Sequence, residues 1–253
     1  MLLIPIKVKR KNKKFDLKSE LSNVLKTNKV KLKKGDILVI SSKYVSIADG
    51  RLINLKEITI SEEAKKIGKK YSINTALAEV ITNEAEKVLA GQRGFVMSIK
   101  NKVITPNSGV DTSNIPKNYA VVYPENPNER AMEIKNVIKK EHRIDSGVII
   151  TDSRIAPTRI GTTGIAIGVA GLKPVIDERG KKDLFGKSIK RTKKALADNL
   201  SSAAQILMGE SDERIPIVII RDSKIRILDH KSSESELSID YKKCVYVKSL
   251  KNN

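Results

Sequence analysis

The strongest constraint on this chain is a set of short apolar runs rich in Val and Ile, at residues 2–8, 36–42, 94–99, 119–123, 147–151, 165–170, 215–221 and 244–247. Each has the length and composition of a strand, and no apolar run approaches the length of a membrane-spanning helix. The run GVII at 147–150 has no polar alternate, which is the pattern of a strand covered on both faces. Helical patterns lie between the runs. Pro127 suits the first position of a helix opened by Asn126, with Glu129 as a capping-box acid and Ile134, Val137 and Ile138 on its buried face. A second helix is expected over 192–208, where Leu196, Leu200, Ala203 and Leu207 recur at helical spacing. Runs and helices do not alternate regularly, so the expected fold class is α+β, with mixed sheets and packed helices, rather than a doubly wound sheet. The polar stretch 229–240 reads as a loop before a last strand at 244–247.

A chain of 253 residues can bury a real core, as a single domain or as two intertwined subdomains. Aromatic residues make up 4% and Trp is missing, so Ile, Val, Leu and Ala must build that core. One cysteine, Cys244, excludes an internal disulfide and a multi-cysteine zinc site, which fits a reducing cytoplasm. Its apolar CVYV setting makes it an expected core residue. The N-terminus MLLIPIKVKRKNKK reads as a first strand and a basic turn rather than a signal peptide. The net charge of +20 raises a nucleic-acid-binding alternative, but the excess is mostly Lys interleaved with acids. No aromatic stacking platform or DNA-binding motif accompanies it. A solvated lysine surface that attracts small anionic substrates fits better.

Three acids have contexts that suit chemistry. Asp111 lies in the turn-rich TPNSGVDTSNIP, Asp152 follows the buried run 147–151, and Glu210 follows an amphipathic helix and Gly209. Acids at the ends of rigid elements suit a hard divalent cation, and the arginines nearby, Arg159 among them, suit phosphate or carboxylate. Each acid also has a plainer reading: Asp111 as an Asx turn, Asp152 as a helix cap, Glu210 as a solvated helix end. The stretch GIAIGVAG (164–171) resembles a phosphate-cradling loop, but lacks the full fingerprints, and close strand packing explains its glycines better. His142 and His230 lie in charged, loop-like surroundings, and no nucleophile triad is present. Metal and phosphate chemistry is what remains.

NSGVDTSNI (107–115), VIITDS (148–153), Arg159 with Gly161, AIGVAG (166–171), GKKDLFGK (180–187), ALADNL (195–200) and ILMGE (206–210) occur in this order. Together, across about residues 36–221, they resemble the coenzyme F420-0:γ-glutamyl ligases. The resemblance implies an intertwined two-lobed fold, a homodimer, and GTP-driven addition of L-glutamate to the deazaflavin precursor F420-0 through an acyl phosphate. It implies Mg²⁺ or Mn²⁺, with K⁺ as a further candidate cation. By resemblance, Asp111, Asp152, Ser153 and Glu210 match metal positions. Ser42, Asn114, Met208, Gly209, Glu210, Ser211, Asp212 and Glu213 match nucleotide-contacting positions. Asp152 and Arg159 are the candidate catalytic residues, with Arg159 as an anion clamp.

The chain departs from the family pattern in three places. A Glu-Gly-Leu-Pro segment is here Lys7-Val8-Lys9-Arg10. The lysine of a Ser-Lys-Ala-Glu-Gly-Arg block is Ile47, with Lys43 one helical turn upstream. An Asp-Thr-x-Gly-Arg block is Asp152-Ser153-Arg154-Ile155-Ala156. The last variant looks like a branch described as folate-metabolism γ-glutamate ligases, which makes folate or another pterin the alternative acceptor.

Overall fold

A computed structural model describes residues 1–251. Its elements begin β1 (Leu2–Ile6), α1 (Leu17–Thr27), β2 (Ile37–Ser41), α2 (Ser42–Ala48), β3 (Leu52–Asn54), α3 (Glu62–Tyr71) and α4 (Thr75–Glu84). There follow β4 (Lys87–Gln92), β5 (Phe95–Lys100), β6 (Val103–Pro106), β7 (Tyr119–Val121), α5 (Pro127–His142), β8 (Gly147–Ile155) and β9 (Thr162–Ala170). The chain closes with β10 (Val175–Asp177), β11 (Lys193–Ala195), α6 (Leu196–Met208), β12 (Ile217–Arg221), α7 (Glu234–Leu237) and α8 (Val245–Lys251). Helices and several mixed sheets make this an α+β fold. The described residues divide into two compact units, residues 1–9, 18–42 and 126–237, and residues 10–17, 43–125 and 238–251.

The first unit is built on a five-stranded sheet in the order β1-β12-β2-β8-β9. Its apolar runs are buried along nearly their whole length: Ile37, Leu38, Val39 and Ile40 of β2, and Val218, Ile219 and Ile220 of β12, are fully inaccessible. Alternate residues of these strands, Ile37, Val39, Ile149, Val218 and Ile220, share a core cluster with Ala197, Leu200 and Ala204 of α6. Helix α5 packs on β8 and β9. Close approach explains two of the glycines of GIAIGVAG. A Cβ on Gly164 would lie 2.6 Å from the Ser201 backbone of α6, and one on Gly168 would lie 2.3 Å from the Pro127 carbonyl oxygen of α5. The motif is strand β9, not a phosphate loop.

The second unit holds the antiparallel sheet β4-β5-β6, the pair β3-β7, and helices α2, α3 and α4. Ala64 and Tyr71 of α3, Ala78, Val80 and Ile81 of α4, and Val96 of β5 form its core with Val110, Ala120 and Val122. Ser61 caps α3 through the Ala64 N–H at 3.2 Å, and Asn74 caps α4 through the Leu77 N–H at 3.1 Å.

Four local expectations give way. Residues 244–247 are not a strand: Val245 opens α8, and Val245 and Tyr246 are exposed while Cys244 is half-buried, so the cysteine is not core. A short apolar run carries no period of its own that could separate strand from helix. The second helix starts at Leu196 rather than at 192, because Lys193–Ala195 pair with β10 first. The box at Asn126 does not close, for Asn126 makes no side-chain cap and Glu129 reaches Lys231 at 3.2 Å instead. The polar loop 229–240 contains the short helix α7, and its Lys231 bridges to Ala170 of β9.

Candidate active site

One edge of the first unit's sheet collects part of the predicted site. Strands β2 and β8 are parallel, with Ser41 opposite Thr151, so the chain leaves both strands side by side at Ser42 and Asp152. The C-terminal ends of neighbouring parallel strands form the crevice in which open α/β sheets bind ligands. Strand β8 does not end at Thr151, as its apolar run suggested, but continues to Ile155 paired with β9. Beyond Ser41 the chain turns into α2, so Asp152 has β9 on one flank and the start of a helix on the other. The buried Ser42 hydroxyl donates to Asp152 Oδ1 at 2.7 Å, which orients the carboxylate without neutralising it. Ser153, the next residue, is exposed.

Glu210 follows α6 and sits against the β8–β9 hairpin, where its partner Thr162 stands opposite Ile155. Pro216, ahead of β12, accepts a hydrogen bond from the Ser41 N–H at 2.8 Å, so the 208–216 connection lies where β2 ends. Glu210 Oε1 accepts from Thr162 Oγ1 at 3.0 Å and from Gln205 Nε2. Both donors are neutral. Gly209 closes α6 with φ 67° and ψ −173°, a conformation in which a side chain is strained. Glu213 folds back over it and accepts from the Ser211 N–H at 2.9 Å. Ser211 and Asp212 are exposed on this loop, whereas Met208 packs against the core cluster under α6.

Asp111 belongs to the second unit, and a dense local network holds it. It forms a two-bond bridge with Val121 of β7, each N–H reaching the other's carbonyl at 2.9 Å. Just upstream, the buried Ser108 hydroxyl donates to the Ile81 carbonyl at 2.9 Å, which fixes the turn. Gly109, at φ 74°, lies flat under the Tyr123 ring. The Ser113 N–H donates to Asp111 Oδ1 at 2.7 Å, so Asp111 does form the Asx turn of its plainer reading. It does more, because Lys43 Nζ lies 2.6 Å from Oδ2. Burial pushes this carboxyl up, but the Lys43 charge and hydrogen bond and the two Ser113 donors outweigh it and hold the group below the usual carboxylate range. Asn114 follows, exposed and left-handed at φ 55°.

The predicted residues therefore do not share one place. Ser42, Asp152 and Ser153 lie where β2 and β8 run side by side, Glu210 lies beside Thr162 farther along the β8–β9 hairpin, and Asp111 and Asn114 share one turn of the second unit. Arg159 is not brought to Asp152: it sits in the exposed turn of the β8–β9 hairpin, and the strand rise from Asp152 to Ile155 alone is about 10 Å. Among the described residues, no three His, Cys, Asp or Glu side chains gather as a metal-holding group. The donors are nonetheless those a hard cation takes, carboxylate and hydroxyl oxygens, and the Lys43 ammonium stands in for a cation at Asp111. Sequence reasoning missed Thr162, Gln205 and Ser113 as braces. Gln205, five positions before Glu210 on the same helix, was the one with a local signal.

Residues 5–222 match the family described as F420-0:gamma-glutamyl ligase. The chain belongs to this family. It is a ligase. A coenzyme F420:L-glutamate ligase of Methanopyrus kandleri is 38% identical over 221 residues, 87% of this chain and 86% of its relative. One of Methanocaldococcus jannaschii is 41% identical over 192 residues, 76% and 77% of the two chains, and one of Archaeoglobus fulgidus is 32% identical over 195, 77% and 78%. The family match encloses every candidate residue of this ligase and stops just after β12. Loop 229–240 and α8 lie beyond it.

Proposed function

We propose that this ligase joins L-glutamate to the coenzyme F420 precursor F420-0 with GTP as the energy source. The observation that carries the acceptor class is the 41% identity, over about three quarters of both chains, to a relative named coenzyme F420:L-glutamate ligase. The reaction balances in two steps. A carboxylate oxygen of the acceptor attacks the γ-phosphorus and GDP leaves, giving an acyl phosphate. The α-amine of glutamate then attacks the acyl carbon, inorganic phosphate leaves, and the amine gives up a proton as the amide forms. A bound Mg²⁺ or Mn²⁺ would offset charge on the phosphates. Asp152 with Ser153, Glu210 and Asp111 are the residues that would each offer oxygen ligands to such an ion. Ser42 orients Asp152, and Thr162 with Gln205 orients Glu210. The loop of Gly209, Glu210, Ser211, Asp212 and Glu213 and the Ser42 hydroxyl would contact the nucleotide, with Met208 anchoring the loop from below, and Asn114 is a further candidate contact on its own turn. K⁺ is a further candidate cation.

Two more readings belong to this proposal. The side chains of Ile160, Leu184, Phe185 and Ile206 are 107%, 100%, 87% and 80% exposed, which is costly for a single chain and supports a homodimer that covers them. Arg159 neighbours Ile160 at the hairpin tip, so its role as anion clamp depends on what covers that tip. No helix of the described residues is long and apolar enough to cross a membrane, and one cysteine without a disulfide suits the cytoplasm.

The test incubates the protein with GTP, Mn²⁺, L-glutamate and either F420-0 or folate, and reads added glutamyl units by mass. Addition to F420-0 is expected. The block Asp152-Ser153-Arg154-Ile155-Ala156 favours folate or another pterin as the second reading, and addition to folate alone would select it. Addition to neither would overturn the proposal. Light scattering should give a dimer, and a fully active monomer would remove that claim.

A further inference from the structure

Lys43 is the second residue of α2, and its ammonium is saturated. An ammonium has three donors, and here three oxygens take them: Asp111 Oδ2 at 2.6 Å, Ser113 Oγ at 2.8 Å and the Ser113 carbonyl at 2.9 Å. A carboxylate, a hydroxyl and a backbone carbonyl are also the oxygens with which proteins hold hard cations. The turn shapes this cage. Ser113 Oγ accepts from Lys43 and donates to Asp111 Oδ2 at 3.0 Å, and the Ser113 N–H holds Oδ1, so both carboxylate oxygens are committed. The Asp152 and Glu210 contacts differ in kind, for Ser42, Thr162 and Gln205 are neutral donors. Farther along the same helix, Ile47 is buried with Ile115 and Val121, so α2 offers no second ammonium.

On the reading that Asp111 is a metal position, we propose that Lys43 is a tethered counter-ion, seated on Asp111 before a divalent cation arrives and in competition with it. A divalent ion and an ammonium cannot share Oδ2 at contact distance, because nothing between them screens like charges so close. Cation entry at Asp111 therefore requires the lysine to swing out on its flexible stem. Its cost is an apparent affinity reduced by the fraction of molecules in which the lysine is seated. The same pairing keeps the turn ordered, and Asp111 neutral in sum, while no cation is bound.

The test is Mn²⁺ binding to the substrate-free protein, followed by calorimetry and by the electron paramagnetic resonance of free Mn²⁺. It compares the wild type, Lys43→Met, Asp111→Asn and the double variant. Lys43→Gln serves as a second neutral replacement should Lys43→Met fold poorly. Lys43→Met should bind Mn²⁺ about tenfold more tightly, the change expected if the competent state rises from about a tenth of the population to all of it. That gain should vanish in the Asp111→Asn background. If Asp111→Asn weakens binding while both Lys43 variants titrate like the wild type or more weakly, the counter-ion proposal is overturned and Asp111 stands as a metal position. If Asp111→Asn itself titrates like the wild type, Asp111 is no metal position, and the proposal falls with that reading.

Discussion

The two ends of the first unit's sheet treat their carboxylates in opposite ways. At one end, Asp36 is 1% exposed and fully paired: Arg221 donates to it through Nε at 2.9 Å and Nη2 at 2.7 Å, and the Lys33 N–H adds a third bond at 2.8 Å. The pairing also raises the Arg221 pKa above its ordinary value. At the other end, Asp152 is more open and accepts from the Ser42 hydroxyl, and Glu210, exposed farther along the β8–β9 hairpin, accepts from Thr162 and Gln205. The first arrangement closes a sheet end and has nothing left to offer a ligand. The second leaves carboxylate oxygens accessible. On the proposed function, one sheet thus has a stabilising end and a candidate functional end.

Breaking the closed end should have the largest effect on stability. Arg221→Ala strands the Asp36 carboxylate in a dry site, and loss of one partner of a buried pair costs about 3–5 kcal/mol. Denaturant unfolding should register that loss, while the Mn²⁺ affinity of the folded fraction stays unchanged. Asp152→Asn should do the reverse. The amide still accepts from Ser42, so the unfolding midpoint should hold, yet Mn²⁺ affinity should fall by more than the roughly 10–100-fold that loss of an outer-shell partner costs. A variant that loses both properties, or neither, would erase the distinction between the ends.

Smaller changes sharpen it. Gly209→Ala forces a side chain into a backbone region that suits glycine, at a cost of about 1–3 kcal/mol. The new Cβ would also meet the Glu213 carboxylate at 2.0 Å, but that carboxylate is a flexible end and can swing aside, so the backbone term dominates. Stability should drop moderately and nucleotide affinity with it, as read by thermal unfolding with and without GTP. Ser42→Ala removes one neutral donor to a charged acceptor, worth about 1.5–3 kcal/mol at most. Its effect should appear mainly in turnover, through a less ordered Asp152, and only slightly in the melting midpoint.

The sequence reveals the sheet and hides much of the site. Strands β2, β8 and β12 are legible because burial on both faces leaves continuous Val and Ile runs. Strands β10 and β11 are not, since Lys193 and Lys194 are exposed and their short pairing carries no apolar run. Asp152 and Glu210 stand out as acids beside apolar elements, a local contrast that survives in one dimension. The link from Lys43 to the Asp111 turn spans seventy positions to Ser113, and nothing near either residue marks the partner. Arg159, a candidate by resemblance, lies in the exposed turn of the β8–β9 hairpin beyond Ile155.

The most direct test of the functional end is glutamyl addition by Asp152→Asn, read by mass beside the melting midpoint of the same sample. The account predicts a wild-type midpoint and no glutamyl product under conditions in which the wild type converts its acceptor. Wild-type conversion by Asp152→Asn, with its fold intact, would contradict it and move the chemistry off this edge of the sheet.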